Sequence, residues 1–147
     1  MLDEMYFQSQ EVIRITGVSN RQLQYWDETN FIKPSFKSTR RRRYTLRDIV
    51  LIKICKTIQD HLGLSIQELR RNLNRIRELL PREVVPLEDV VVYTDGENII
   101  VAERGRYLNF SLRQNMLKFD LGEIIQWAKY VKENREVYTA EQLILSL

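Results

Sequence analysis

The chain has 147 residues, 44% of them hydrophobic and 29% charged, with a formal net charge of +3. That is room for one domain or two small ones, and the apolar content argues against a wholly disordered chain. No apolar run approaches the roughly 20 residues of a membrane helix, the acidic start MLDEMYFQ lacks a signal-peptide stretch, and the single cysteine, Cys55, excludes an internal disulfide or thiolate metal cluster; the expectation is a cytoplasmic protein.

In chain order, Ser9 is read as the cap of a short helix whose apolar residues are Val12, Ile13 and Ile15. TGVS, residues 16–19, follows, with Gly17 suited to a tight turn because it adopts positive φ at no steric cost. Ser19 then reads as an N-cap, with Gln22 three residues on to complete a capping box. The next helix runs to about Thr29, with Leu23 and Trp26 facing a core. Helix, short glycine turn and capped helix together form a helix-turn-helix signature.

Pro34 excludes a helix in the stretch NFIKPSFKSTRRRRY. Phe31, Ile32 and Phe36 are expected to anchor the base of a loop, and 32–44 reads as two short strands around a basic tip, a wing. Thr45 and Asp48 cap a third helix carrying Leu46, Ile49, Val50, Ile54 and Ile58 at helical spacing, which Gly63 ends. Ser65 and Glu68 cap a fourth, with Ile66, Leu69, Leu73, Ile76 and Leu80 on one stripe, and Pro81 stops it.

Near Pro81 both charge and period change. Residues 1–80 hold 15 Lys and Arg against 9 Asp and Glu, and residues 81–147 hold 8 against 11. The front attracts polyanions and the back does not. VVVYTDGENIIVAE reads as a hairpin about its Asp-Gly turn, and YLNFSL and MLKFDL as two further short strands. Asp120 and Glu123 cap a helix with Ile124, Ile125, Trp127, Ala128 and Val131, and Thr139 and Gln142 repeat the pattern for a last helix over 140–147. The predicted fold class is mainly α with a little β: a winged helix-turn-helix of four helices over 1–80, then a small α+β module over 81–147.

The segments TGVSNRQLQYWDETNFIKPS, RRYTLRDIVLIKICKTI and GLSIQELRRNL, in order and at matching intervals, resemble the MerR-like family of winged helix-turn-helix transcription regulators. The resemblance covers about residues 8–80, and the run Arg21 to Trp26 is similar to a branch whose members carry a short β-containing tail. It implies a homodimer on a near-palindromic DNA operator, a recognition helix (about 19–29) in the major groove, wings (about 33–44) on the flanking backbone, and RNA polymerase as a partner at the promoter. The chain departs from many relatives where Pro81 cuts the fourth helix short of a long dimerisation helix, and Gln24 stands where arginine is common. The metal-sensing relatives need cysteines beyond the wing, and this chain has no cysteine besides Cys55.

Guanidinium forks suit phosphate oxygens, and neutralising phosphates releases condensed counterions. Lys37, Arg41, Arg42, Arg43 and Tyr44 are therefore the candidate backbone contacts, although strand alternation prevents Arg40 to Arg43 from all pointing one way. Ser19 and the free N–H groups beside it suit a phosphate. Asn20, Arg21, Gln22 and Gln24 are donor-rich and suited to base edges, with Arg21 foremost. Tyr25 is expected to pack and to offer its hydroxyl to a phosphate.

Other candidates weigh less. His61 has no second His and no Cys pair, so it reads as a helix-end residue, and Cys55 as packed. Asp89, Asp95, Glu97 and Glu103 surround a turn and read as solvated. With no phosphate-binding glycine loop, nucleophile–base pair or metal-ligand spacing, no catalytic, metal or cofactor role is expected, and an effector is left unnamed. The tail aromatics Tyr93, Tyr107, Phe110, Phe119, Trp127 and Tyr130 are expected in a core and dimer interface, shared with the stripe Leu69, Leu73, Ile76 and Leu80. Two other readings stay open: an excisionase-like DNA-bending protein, and an adaptor whose tail recruits another protein.

Overall fold

The computed structural model of the chain describes residues 5–106 and 115–134. A two-residue strand β1 (Phe7–Gln8) leads into α1 (Ser9–Thr16), α2 (Asn20–Glu28), β2 (Phe36–Lys37), β3 (Arg42–Tyr44), α3 (Leu46–Leu62) and α4 (Ile66–Leu79). A single turn α5 (Val84–Leu87), the strands β4 (Val90–Thr94), β5 (Ile99–Glu103) and β6 (Leu117–Asp120), and α6 (Leu121–Glu133) complete the described chain. The strands expected in YLNFSL and the final helix over 140–147 lie outside the described residues.

Local chemistry sets most helix boundaries. Ser19 accepts from the Gln22 backbone N–H at 3.0 Å, Ser65 from Glu68, and Asp120 from Glu123. Thr45 and Asp48 form a reciprocal box, with N–H to oxygen distances of 2.9 and 3.1 Å. Gly17 and Gly63 end α1 and α3 at φ of 79° and 59°. Two caps differ from expectation. Gln8, not Ser9, is the N-cap of α1, because the Gln8 backbone N–H is taken by the Glu11 carboxylate at 2.9 Å. At α2 the box is half formed, since the Gln22 side chain reaches Gln59 on α3 instead of turning back.

The wing has a third strand. The first sheet runs β1-β3-β2, all antiparallel, with Phe7 opposite Tyr44 and Lys37 opposite Arg42. Residues directly opposite share a face. One face therefore carries Phe7, Tyr44, Lys37 and Arg42, and the other Gln8, Arg43 and Phe36. Phe7 and Tyr44 are completely buried, while Phe36 is half exposed, its ring edge-on to Tyr6 at 5.0 Å. Phe36 thus does not anchor the base of the loop as expected, because strand parity turns it away from the core; Phe31 and Ile32 do.

The second sheet runs β5-β4-β6, with the fully buried β4 in the centre. The predicted Asp-Gly turn joins β4 and β5: Asp95 accepts from the N–H groups of Glu97 and Asn98, and Gly96 has φ 97°. From α4, Asn72 Nδ2 donates to the Gly96 carbonyl at 2.6 Å and pins the hairpin.

One continuous apolar cluster joins the two halves. It runs from Phe7, Val12, Trp26 and Ile54 through Leu73 and Ile76 to Val92, Phe119, Ile125 and Val131. Among the described helices the last, α6, packs on both α1 and α3. The stripe Leu69, Leu73, Ile76 and Leu80 is buried inside this chain, so it presents no surface to a second copy, while Ile66, expected on it, is exposed. Tyr93 and Phe119 are core residues, whereas Trp127 and Tyr130 stack on each other on the outer face of α6.

Candidate nucleic-acid interface

Helical periodicity divides α2 cleanly. Leu23, Trp26 and Asp27 are buried, and Asn20, Arg21, Gln24, Tyr25 and Glu28 form the outward stripe. Trp26 meets Phe31 edge-to-face at 5.2 Å, and from α4 Arg70 and Arg77 donate to the carbonyls of Thr29 and Phe31. The helix is thereby bolted down on its inner side, and its outer side is left to solvent.

The outward stripe is donor-rich, as expected. Gln24 spends one amide bond on Glu28 at 3.2 Å, and Tyr25 stands 54% exposed beside it rather than packing. Gln22 does not join the stripe. It is half buried with its amide on Gln59, so it acts as a tie between α2 and α3. Exposed Ser19 uses its hydroxyl as the cap.

The wing divides its cations by strand parity. Arg40 and Arg41 occupy the tip, closed by a bond from the Ser38 N–H to the Arg41 carbonyl at 2.9 Å. Arg41 and Arg43 line one cleft of about 300 Å3 with Tyr6, Phe36, Lys37 and Ser38. Arg40, Arg41 and Arg42 border another with Gln8, Ser9 and Gln10 at the start of α1. Arg42 turns inward. Its Nε donates to Asp27 Oδ2 at 2.7 Å, and Lys37 Nζ reaches the same oxygen at 2.8 Å. Burial alone would raise the Asp27 carboxyl, but the two cationic donors outweigh it and hold it below the ordinary carboxylate value.

Three candidates, Lys37, Arg42 and Tyr44, change role in consequence, Lys37 because its ammonium is spent on Asp27. Tyr44 is wholly buried, so its hydroxyl meets no phosphate; burial pushes the phenol up to about 12 against the opposing charge of Arg42. Arg42 is committed to Asp27, because strand alternation that turns Arg43 to the outer face turns Arg42 toward α2. Asp27 and Tyr6 are not among the residues the sequence points to, and Phe36, expected at the base of the loop, lies beside the arginines instead. For Asp27 a signal existed: Asp27 follows Trp26 on the inner side of a 3.6-residue pattern, where a charge must be paired.

The weaker candidates sit as structural residues. Cys55 is buried in α3 and burial pushes its thiol up to about 12, while His61 in the last turn of α3 lies 2.9 Å from the Thr57 carbonyl through Nδ1. Among the described residues no group of three or more His, Cys, Asp or Glu is arranged to hold a metal ion, and no helix is long and apolar enough to cross a membrane.

A family model described as MerR HTH family regulatory protein matches residues 7–83. The chain is also 31% identical over 90 residues to proteins described as uncharacterized HTH-type transcriptional regulators, from Mycobacterium bovis and two strains of Mycobacterium tuberculosis. The match covers 58% of this chain and 38% of each relative, so the chain spans well under half the length of those relatives.

Proposed function

The chain belongs to the MerR family of helix-turn-helix regulatory proteins, and from that premise we propose that it regulates transcription by binding a specific DNA duplex as a homodimer. In this reading residues 1–80 bind DNA, and residues 81–147 form the module through which the dimer assembles or an effector or partner acts. The outward stripe of α2 enters the major groove, with Arg21, Asn20 and Gln24 at base edges and Tyr25 beside the backbone. The wing lies along the flanking phosphates through Arg40, Arg41 and Arg43.

The observation that carries this reading is the clip between the two parts. The wing is fastened to the last turn of α2 through Asp27, so the polar helix face and the arginine-bearing wing are tied to each other. A solvated charged loop would need no such fastening.

Selection of bound sequences from random duplex DNA, followed by titration at several salt concentrations, tests the proposal. A recovered near-palindrome together with a dimer in sedimentation supports it. A chain that ignores duplex DNA even in dilute buffer overturns it.

A further inference from the structure

Asp27 is a charge where a charge is costly. Its side chain is 1% exposed, and among the described residues only one of its oxygens is used: Oδ2 takes Lys37 and Arg42, while Oδ1 is buried with no hydrogen-bond partner there. Burying a carboxylate without full compensation is disfavoured, so its position here calls for a reason beyond packing.

The geometry supplies one. Lys37 and Arg42 are cross-strand partners, one from each limb of the wing. A single carboxylate oxygen therefore grips both limbs and ties them to α2. The outer limb has little else near the tip: β2 is two residues long, and its Phe36 faces solvent. By contrast β3 is held independently, through Tyr44 against Phe7 in the core. Without Asp27 the limb from Phe36 to Arg41 would keep its short ladder to β3, the Ser38 bond across the tip and the edge contact of Phe36 with Tyr6, none of which ties it to α2.

We propose that Asp27 is a positioning residue for duplex recognition, one that touches no DNA and sets the distance and angle between the outward face of α2 and the arginine tip. This rests on the DNA-binding reading above. In it Lys37 and Arg42 serve as the fastening, and Arg40, Arg41 and Arg43 remain for phosphates. A duplex is a fixed lattice, so a helix in its groove and a wing on its backbone gain together only when their separation is preset.

The proposal predicts a sign opposite to simple electrostatics. Removing an acid near a DNA-binding surface ordinarily strengthens binding and frees two cations for phosphates. If Asp27 positions the wing, Asp27→Asn instead weakens binding to the selected sequence by about tenfold or more. Binding to random duplex stays equal or tightens, so the specificity ratio falls. In the free protein, exchange of the Ser38 amide, which closes the tip, speeds up by about tenfold, while amides of Ile52 and Ile54 in α3 keep their protection.

Lys37→Gln is the companion variant, since Lys37 is half exposed and its loss spares the core. It should speed Ser38 exchange in the same direction, by less. Asp27→Asn binding the selected sequence as tightly as the parent chain would overturn the proposal, as would unchanged Ser38 exchange in both variants. If the parent chain binds no duplex, the DNA reading fails, and Ser38 exchange alone decides whether Asp27 holds the wing.

Discussion

Lys132, in the last turn of α6, sets its ammonium 3.2 Å from Glu11 Oε1 on α1. The same ammonium stands 5.1 Å from the centre of the Phe7 ring. Phe7 is the cross-strand partner of Tyr44, the last residue of the wing. Residue 132 thus touches the helix-turn-helix and the base of the wing together, although more than 80 residues of chain separate it from both.

Lys132→Ala should cost about 1–2 kcal/mol, combining a partly exposed ion pair with a cation over an aromatic face. Urea unfolding is the measurement. Because the ion pair is partly exposed, the difference between variant and parent should shrink in 1 M salt. A salt-independent difference would assign the loss to packing of the lysine stem.

Acid should loosen the wing fastening. The folded-state value of Asp27 lies below its ordinary one, so its ionised form contributes stability above that ordinary value. The contribution is lost as pH falls through the lowered folded-state value. The groups facing it are the cationic donors Lys37 and Arg42 and the buried phenol of Tyr44. Stabilities of the parent chain and Asp27→Asn, measured from pH 7 downward, should therefore converge below about pH 4. Curves that remain parallel would show that folded and unfolded chains hold the Asp27 proton equally, so that Lys37 and Arg42 do not favour its ionised form.

Cys55 should be chemically silent in the folded state. Burial inside α3 pushes its thiol up to about 12, against about 8.5 for a free cysteine, which lowers the thiolate fraction near pH 8 roughly a thousandfold. A thiol-specific disulfide reagent should label it only as fast as the chain opens, and at once in denaturant. The raised folded value also means stability is fully present below about 8.5 and declines as pH rises from there toward 12. Rapid labelling of the folded chain would contradict the packing.

Gly122, in the first turn of α6, should resist substitution. A Cβ there would fall 2.5 Å from the Glu88 carbonyl oxygen and closer still to the Arg104 guanidinium, which bridges Glu88 and Asp120. The arginine could swing away, but the backbone oxygen could not. Gly122→Ala should destabilise by about 1–3 kcal/mol despite the better helix propensity of alanine. Gln126→Ala, on the exposed side of the same helix, is the neutral control, and thermal unfolding distinguishes the two.

What could be read from the sequence follows the range of the interaction. Ser19, Thr45 with Asp48, Ser65 and Asp120 cap helices through bonds to residues three positions away, and Asp95 shapes its turn in the same way. Such signals survive in a linear string because both partners lie within one turn of chain. The period of α3 and the inner face of α2 were legible for a related reason, since burial follows the helical repeat.

Readings failed where the partner is remote. Gln22 has the donor groups of a base reader, yet Gln59, 37 positions on, takes its amide. Phe36 has the composition of an anchor, yet pairing with Arg43 turns it outward. Leu69, Leu73, Ile76 and Leu80 make a stripe that periodicity identifies, but not whether a second copy or this chain's own core covers it.

By itself, then, the string of residues determined the four helices of the front half, the hairpin about the Asp-Gly turn, their order and the concentration of cations in the wing, because propensity, capping and charge are properties of neighbours. Tertiary structure alone decided which of those cations remain free: β1 joins β3, fixes strand parity, and so turns Arg42 and Lys37 onto Asp27 and Arg43 away from it. That choice depends on which faces meet across the core, and no local rule records it.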